Sequence, residues 1–242
     1  DEEVLLCTVI TDVVANWEWI HAQTDLYAVP TQSIRLALED KGISKEKISV
    51  TGVPVCTDTD HLSGINEKNA ASSFKASRPQ VLVVGAIGGW LNSSDTFIDF
   101  MNNQEANFDV VAGKNLRFFE QMQSKNINSN VSLTGFAADL QQRMELADII
   151  VTKPGGATLF ESIAHEVPIV AYRSTVSQEL SNARFIESNG IGVCYRSELQ
   201  LIEKLETLLK SPSTLRTMKE NIRKVKGEID LDELLYRLVE AT

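Results

Sequence analysis

Ile149-Ile150-Val151-Thr152-Lys153-Pro154-Gly155-Gly156-Ala157-Thr158-Leu159-Phe160-Glu161 is the stretch on which the fold is decided. Its opening β-branched run reads as a short buried strand at 149–152, the glycine pair as a turn, and 157–165 as the helix that follows. Outward from it, similar runs at 4–11, 26–30, 48–51, 81–85, 108–112, 131–134, 169–172 and 192–195 also read as strands. Between them apolar residues recur three and four apart, as in Ile34, Ala37 and Leu38 or Phe97, Phe100 and Met101. That is the spacing of one helix face. Strands and helices alternating in this way predict an α/β protein built of βαβ units on parallel sheets. From Glu198 the chain reads as helical, with Leu201, Leu205, Leu208 and Leu209 on one face and Leu231, Leu234, Leu235 and Leu238 later.

At 242 residues and about 150 per domain, the chain makes one large domain or two small ones. Apolar residues make up 43% and charged residues 23%, the balance of a globular protein. Lys plus Arg is 23 against 33 for Asp plus Glu, and the resulting charge of -10 repels phosphate backbones. Nucleic acid is therefore not an expected partner. No apolar run approaches the ~18 residues of a spanning helix, and Asp1-Glu2-Glu3 is acidic where a secretory signal would be basic. Cys7, Cys56 and Cys194 are widely spaced and form no CxxC, which points to reduced cytosol rather than to a disulfide framework or a zinc site. His21, His61 and His165 show no metal-ligand spacing. Gly52-Val53-Pro54 stops a strand, and the polar, aperiodic residues after it predict a linker at 56–78. The linker divides an incomplete first unit at 1–55 from a self-contained α/β unit at 79–242. The first unit has room for roughly two strands and two helices, too few to close a doubly wound sheet.

Three turns carry candidate chemistry, each at the carboxyl end of an expected strand, where open α/β sheets bind ligands. Gly85-Ala86-Ile87-Gly88-Gly89 lets backbone amides approach an anion, and equally suits a plain tight turn. In the opening stretch, Gly155, Gly156 and Thr158 can present amides and a hydroxyl to a diphosphate above a helix N-terminus. Glu161 follows one turn further in, about 5 Å along the axis, where a carboxylate can accept both hydroxyls of a ribose. The alternative for Glu161 is a first-turn acid favoured by the helix dipole. In the third turn, Gln178, Glu179 and Asn182 bring amides and a carboxylate to the start of a helix, a set suited to sugar hydroxyls. Gln178 and Asn182 share one face. The alternative there is a solvated helix start with Ser177 as N-cap. Phe136, after the run at 131–134, either borders a base or is a buried aromatic. Trp17 and Trp19 read as packing or as a rim.

Thr152-Lys153-Pro154-Gly155-Gly156 through Glu161, followed by Gln178-Glu179 and Asn182-Ala183, resembles the donor-binding signature of two-domain glycosyltransferases that make glycosyl diacylglycerols. These are the monogalactosyldiacylglycerol synthase and processive diacylglycerol glucosyltransferase group, relatives of the peptidoglycan lipid II N-acetylglucosaminyltransferase. Val9-Ile10-Thr11-Asp12, Trp19, His21, Asp25-Leu26-Tyr27 and the segment Lys47 to Val55 agree with it. The resemblance implies a GT-B-type fold, a Rossmann-like parallel-sheet domain with the remnant of a second Rossmann-like domain. It implies a UDP-sugar as donor substrate, a lipid acceptor (diacylglycerol, by the Lys153-Pro154 of the glycolipid branch), no metal and no further cofactor. Carried over, Gly155, Gly156 and Thr158 meet the diphosphate, Glu161 the ribose and Phe136 the uracil. Gln178, Glu179 and Asn182 hold the sugar, and Gly85 and Gly88 line the cleft floor. The catalytic base is expected outside this chain, in a Gly-rich loop ending in His that the family's first domain carries. The chain is thus expected to be a fragment, or the partner of a separate acceptor-domain chain, with membrane contact through that missing part at the cytoplasmic face. It departs from the family pattern at Asn16, where a His is usual, and at Val176-Ser177 in place of Pro-Gly. A UDP-N-acetylglucosamine transferase or epimerase, of the same two-domain class, is a further alternative.

Overall fold

A computed structural model describes residues 4–55, 78–85 and 94–240. Its strands fall into two parallel sheets. The first holds β1 (Cys7–Val9), β2 (Leu26–Val29) and β3 (Ile48–Val50) in the order β1-β2-β3. Its three strands fall within the runs read at 4–11, 26–30 and 48–51. The run expected at 4–11 is paired only over its middle, because β1 is an edge strand and Val4 and Leu6 are exposed. One face packs Tyr27, Val29 and Ile48 against Ile10 and against Ile34 and Leu38 of α1 (Gln32–Glu39), a helix started by Thr31, whose hydroxyl accepts from the Ile34 amide.

The second sheet holds β4 (Gln80–Val84), β5 (Asn107–Val111), β6 (Val131–Thr134), β7 (Ile149–Thr152), β8 (Ile169–Tyr172) and β9 (Gly192–Tyr195), in the order β6-β5-β4-β7-β8-β9. All its pairings are parallel. The strands are mainly apolar because both faces are covered, with Asp109 of β5 and Ser132 and Thr134 of β6 among the polar exceptions. Val81, Val83, Phe108, Val110 and Val151 pack on one side with α2 (Asp95–Asn102), α3 (Leu116–Gln123) and α7 (Glu198–Leu209). Leu82, Val111, Ile150 and Ala171 pack on the other with α4 (Leu140–Leu146), α5 (Gly156–Ala164) and α6 (Ser177–Ser188). α8 (Pro212–Lys226) wraps the sheet edge, giving Met218 to the first side and Ile222 and Val225 to the second. Leu201, Leu205 and Leu208, four and three apart on α7, are buried as the sequence pattern predicts; each fully buried leucine contributes about 2 kcal/mol.

The strand order is that of a dinucleotide-binding sheet: it winds one way from β4 to β6, returns to pair β7 beside β4, and winds the other way to β9. A crevice opens between the carboxyl ends of β4 and β7, where the connections diverge. Beside it, Asp109 of β5 receives two hydrogen bonds from Arg143 Nη1, at 2.8 and 2.7 Å, while Arg143 Nε donates to Asp139 at 3.0 Å. This buried pair fixes α4 to the sheet. Burial nevertheless lifts the Asp109 carboxyl above its ordinary range.

The chain then returns to the first sheet. Asp230 N donates to Val50 O, and α9 (Leu231–Glu240) lies along β3, with Leu238 packed against Leu26 and Ala28 and Arg237 donating to Glu46 O at 2.8 Å.

Candidate functional site

The loop after β7 is shaped by its two glycines, and they differ. Gly155 is the N-cap of α5, in extended backbone, and a Cβ there would meet nothing within 4 Å. Gly156 is buried against the first unit: a Cβ would stand 2.0 Å from Thr11 O and 2.8 Å from Asp12 Oδ1. One glycine therefore opens onto space, and the other lets two backbones touch. Gly155 supplies no side chain to cap α5, so the positive end of the helix, at the carboxyl end of β7, is left without a side-chain cap. Thr158 is half-buried in that first turn. Gly85, at the end of β4, holds φ +76 with open space over its Cα, a conformation that favours glycine. Gly88 lies outside the described residues.

Glu161 is the sixth residue of α5, beyond the first turn, so the dipole alternative does not hold for it. Half-buried, it accepts a hydrogen bond from Gln141 Nε2 of α4 at 2.9 Å. Burial pushes its carboxyl up, and the Gln141 hydrogen bond pulls it back. Phe136 stands beyond the end of β6 and is 69% exposed, an open aromatic face rather than a core residue.

α6 begins at Ser177 with Val176 as N-cap and no side-chain cap, which corrects the expectation that Ser177 caps it; Ser174 Oγ instead accepts from Val176 N at 3.1 Å. Gln178 and Glu179 are half-buried in the first turn. Glu179 Oε1 pairs with Lys153 Nζ at 3.6 Å, while the buried Oε2 meets no hydrogen-bond partner among the described residues. A sugar hydroxyl would satisfy it. Asn182 departs from the expectation. It is 0% exposed, donates from Nδ2 to Asp12 Oδ1 at 2.7 Å and to Pro154 O at 2.8 Å, and accepts from Val13 N at 2.7 Å. Both amide protons are committed to the joint between the two units, so Asn182 fixes the loop and the first unit together rather than offering its amide to a sugar.

Sequence reasoning passed over Gln141, His165 and Asp12. Asp12 stands in the Val9-Ile10-Thr11-Asp12 segment without a role, His165 enters only as a histidine without metal-ligand spacing, and Gln141 carries no local signal, since it lies on α4 while His165 caps the end of α5.

An uncapped helix N-terminus, an open glycine and a half-buried carboxylate at the switch point of a 3-2-1-4-5-6 sheet, beside a second parallel sheet, are the features of a GT-B fold. Residues 93–234 match the glycosyltransferase family 28 C-terminal domain, and the chain belongs to that family. Residues 1–55 match monogalactosyldiacylglycerol (MGDG) synthase. The processive diacylglycerol beta-glucosyltransferase of Bacillus cytotoxicus is 29% identical over 218 residues, 88% of this chain and 55% of that protein. The enzyme of that name from Bacillus subtilis is 25% identical over 234 residues, 94% of this chain and 61% of that protein. This chain thus spans little more than half the length of these relatives. In fold it is similar to the UDP-GlcNAc 2-epimerase from Neisseria meningitidis bound to UDP-GlcNAc, with a TM-score of 0.66 at 16% identity, covering 90% of this chain and 62% of that one. The resemblance read from Thr152 to Ala183 and from Val9 to Val55 therefore falls where these matches fall.

Proposed function

We propose that the chain is the donor half of a glycosyltransferase that moves a hexose from a UDP-sugar to a lipid hydroxyl, that of diacylglycerol. The observation that carries this reading is the open Gly155 turn at the uncapped start of α5, with Glu161 on the same helix. The diphosphate sits at the N-terminus of α5, where oriented amides offset the negative charge that grows as UDP leaves. Gly155, Gly156 and Thr158 contact it, Glu161 accepts the ribose hydroxyls, Phe136 borders the uracil, and Gln178 and Glu179 meet the sugar, with Gly85 and Gly88 on the floor. The lipid oxygen attacks the anomeric carbon, its bond to the diphosphate oxygen breaks, and a base on the acceptor side takes the hydroxyl proton. Residues 1–55 are read as the end of the acceptor-side domain, 56–78 as linker and 79–242 as the donor domain. Among the described residues no helix is long and apolar enough to cross a membrane. The expected setting is the cytoplasmic face of a membrane, with lipid contact through the acceptor side.

A second reading has one observation in its favour: Val4, Leu6 and Val9 on and beside edge strand β1 are exposed. A nucleotide-sugar-binding subunit that works only with an acceptor-domain partner chain would cover such residues. Calorimetric titration with UDP, then with a non-uridine diphosphate in competition, tests the shared claim. Selective UDP binding is expected; binding of neither, or of both alike, removes the donor-site assignment. Incubation with UDP-GlcNAc alone separates the epimerase alternative, since only an epimerase converts the sugar without an acceptor.

A further inference from the structure

Glu161, Gln141 and His165 form a hydrogen-bonded chain across the groove between α4 and α5. We propose that Gln141 and His165 are positioning residues for Glu161, holding its carboxylate ready for the ribose hydroxyls; the inference rests on the donor-site reading above. Glu161 lies in the last turn of α5 and His165, four residues on, is its C-cap, with its backbone N–H donating to Glu161 O at 3.0 Å, so the two stand one turn apart. Gln141, in the first turn of α4, reaches between them: Nε2 donates to Glu161 Oε1 at 2.9 Å, and Oε1 lies 2.6 Å from His165 Nε2.

The polarity of the chain follows from the chemistry of its members. An ionised carboxylate only accepts, so Glu161 takes the donor end of the Gln141 amide. The acceptor end is then left for His165, which must present an Nε2–H. Reversing the amide would set its oxygen against the carboxylate and lose that hydrogen bond, whichever tautomer His165 adopts. The carboxylate therefore sets the direction of the amide, and His165, holding the amide oxygen, keeps the Gln141 side chain beside Glu161. Of about four acceptor sites on a carboxylate, one is used and the rest remain for two vicinal hydroxyls. The Gln141 donor also works against burial, which favours the uncharged acid. Neither Gln141 nor His165 belongs to the glycine-pair and Gln178-Glu179 motif.

The test uses two ligands, UDP and 2′,3′-dideoxyuridine diphosphate, titrated into the unsubstituted chain and into Glu161→Ala, Gln141→Leu, His165→Leu and His165→Gln. With UDP, Gln141→Leu and His165→Leu are expected to weaken binding about three- to tenfold, the worth of one neutral hydrogen bond. The dideoxy nucleotide, which has no hydroxyls to lose, should bind these variants as it binds the unsubstituted chain. His165→Gln keeps an N–H donor and should recover most of the UDP affinity. Equal losses for both ligands would show a purely structural role and overturn the proposal, as would unchanged UDP affinity in both leucine variants. If Glu161→Ala weakens UDP while the other variants do not, only the positioning role falls. If Glu161→Ala leaves UDP binding unchanged, or the unsubstituted chain binds no UDP, the donor-site reading falls and the positioning role with it.

Discussion

Gly155 and Gly156 are adjacent and identical in chemistry, and their surroundings give them opposite tasks. A methyl at Gly156 would overlap the Thr11 carbonyl, and backbone cannot step aside as a side-chain tip can. Gly156→Ala is expected to destabilise the chain by about 1–3 kcal/mol, read as a lower urea midpoint. Gly155→Ala should leave that midpoint unchanged, since nothing lies within 4 Å, and instead weaken UDP binding by placing a methyl where the diphosphate is assigned. Stability loss at Gly155 would contradict the open turn. Glu161 makes a prediction of a different kind. Its carboxyl is lifted above the ordinary carboxylate range by burial, so the accepting, ionised form gains population only as pH passes that raised value. UDP affinity, taken relative to the dideoxy nucleotide across roughly pH 4 to 8 to cancel the diphosphate's own titration, should rise with pH. Glu161→Gln should flatten that rise; a rise that survives the substitution would assign it to another group.

At the scale of elements, α6 has two jobs on one face. Its first turn carries Gln178 and Glu179 toward the crevice, and one turn on, Asn182 is buried in the joint with Asp12, Val13 and Pro154. Asn182→Ala removes three hydrogen bonds and strands buried polar groups, at about 1–3 kcal/mol for each group left unsatisfied. A loss of stability with equal weakening of UDP and UDP-sugar binding is expected. Gln178→Ala should spare stability and UDP binding while weakening UDP-sugar binding, and equal losses for the two ligands would remove Gln178 from the sugar. The strands are legible in the sequence because parallel strands covered on both faces are largely apolar and β-branched; 131–134, 149–152, 169–172 and 192–195 are read to the residue. At β1 the same kind of run overstates the strand, which pairs with β2 only over Cys7–Val9. The Asn182 joint was not legible because it closes across 169 and 170 residues, and no local pattern carries such a contact. Position in a motif suggested a ligand contact; burial decides otherwise.

Across the whole molecule, the chain is wound so that its last helix covers its first sheet. Residues 229–230 cross beside Val50 and Gly52, where Gly52 holds φ +68 and a Cβ would stand 2.5 Å from Ile229. The segment and α9 therefore belong physically to both units. Truncation after Glu228 is expected to leave the second sheet's amides protected from hydrogen exchange, while β2 and β3 lose protection, with Leu26 and Ala28 uncovered. Uniform loss across both sheets would show a single cooperative unit instead. The joint near Gly156 has a consequence for how such a molecule changes over time. At this turn the second unit meets the Thr11 carbonyl, the Val13 amide and the short Asp12 carboxylate of the first. Two of these are backbone atoms, which nearly any residue provides. The demand on the other side is strict: a missing side chain at Gly156 and one particular amide at Asn182. At this turn the sequence of the second unit is therefore held more tightly, at Gly156 and Asn182, than that of the first, where Thr11 and Val13 take part through backbone atoms alone.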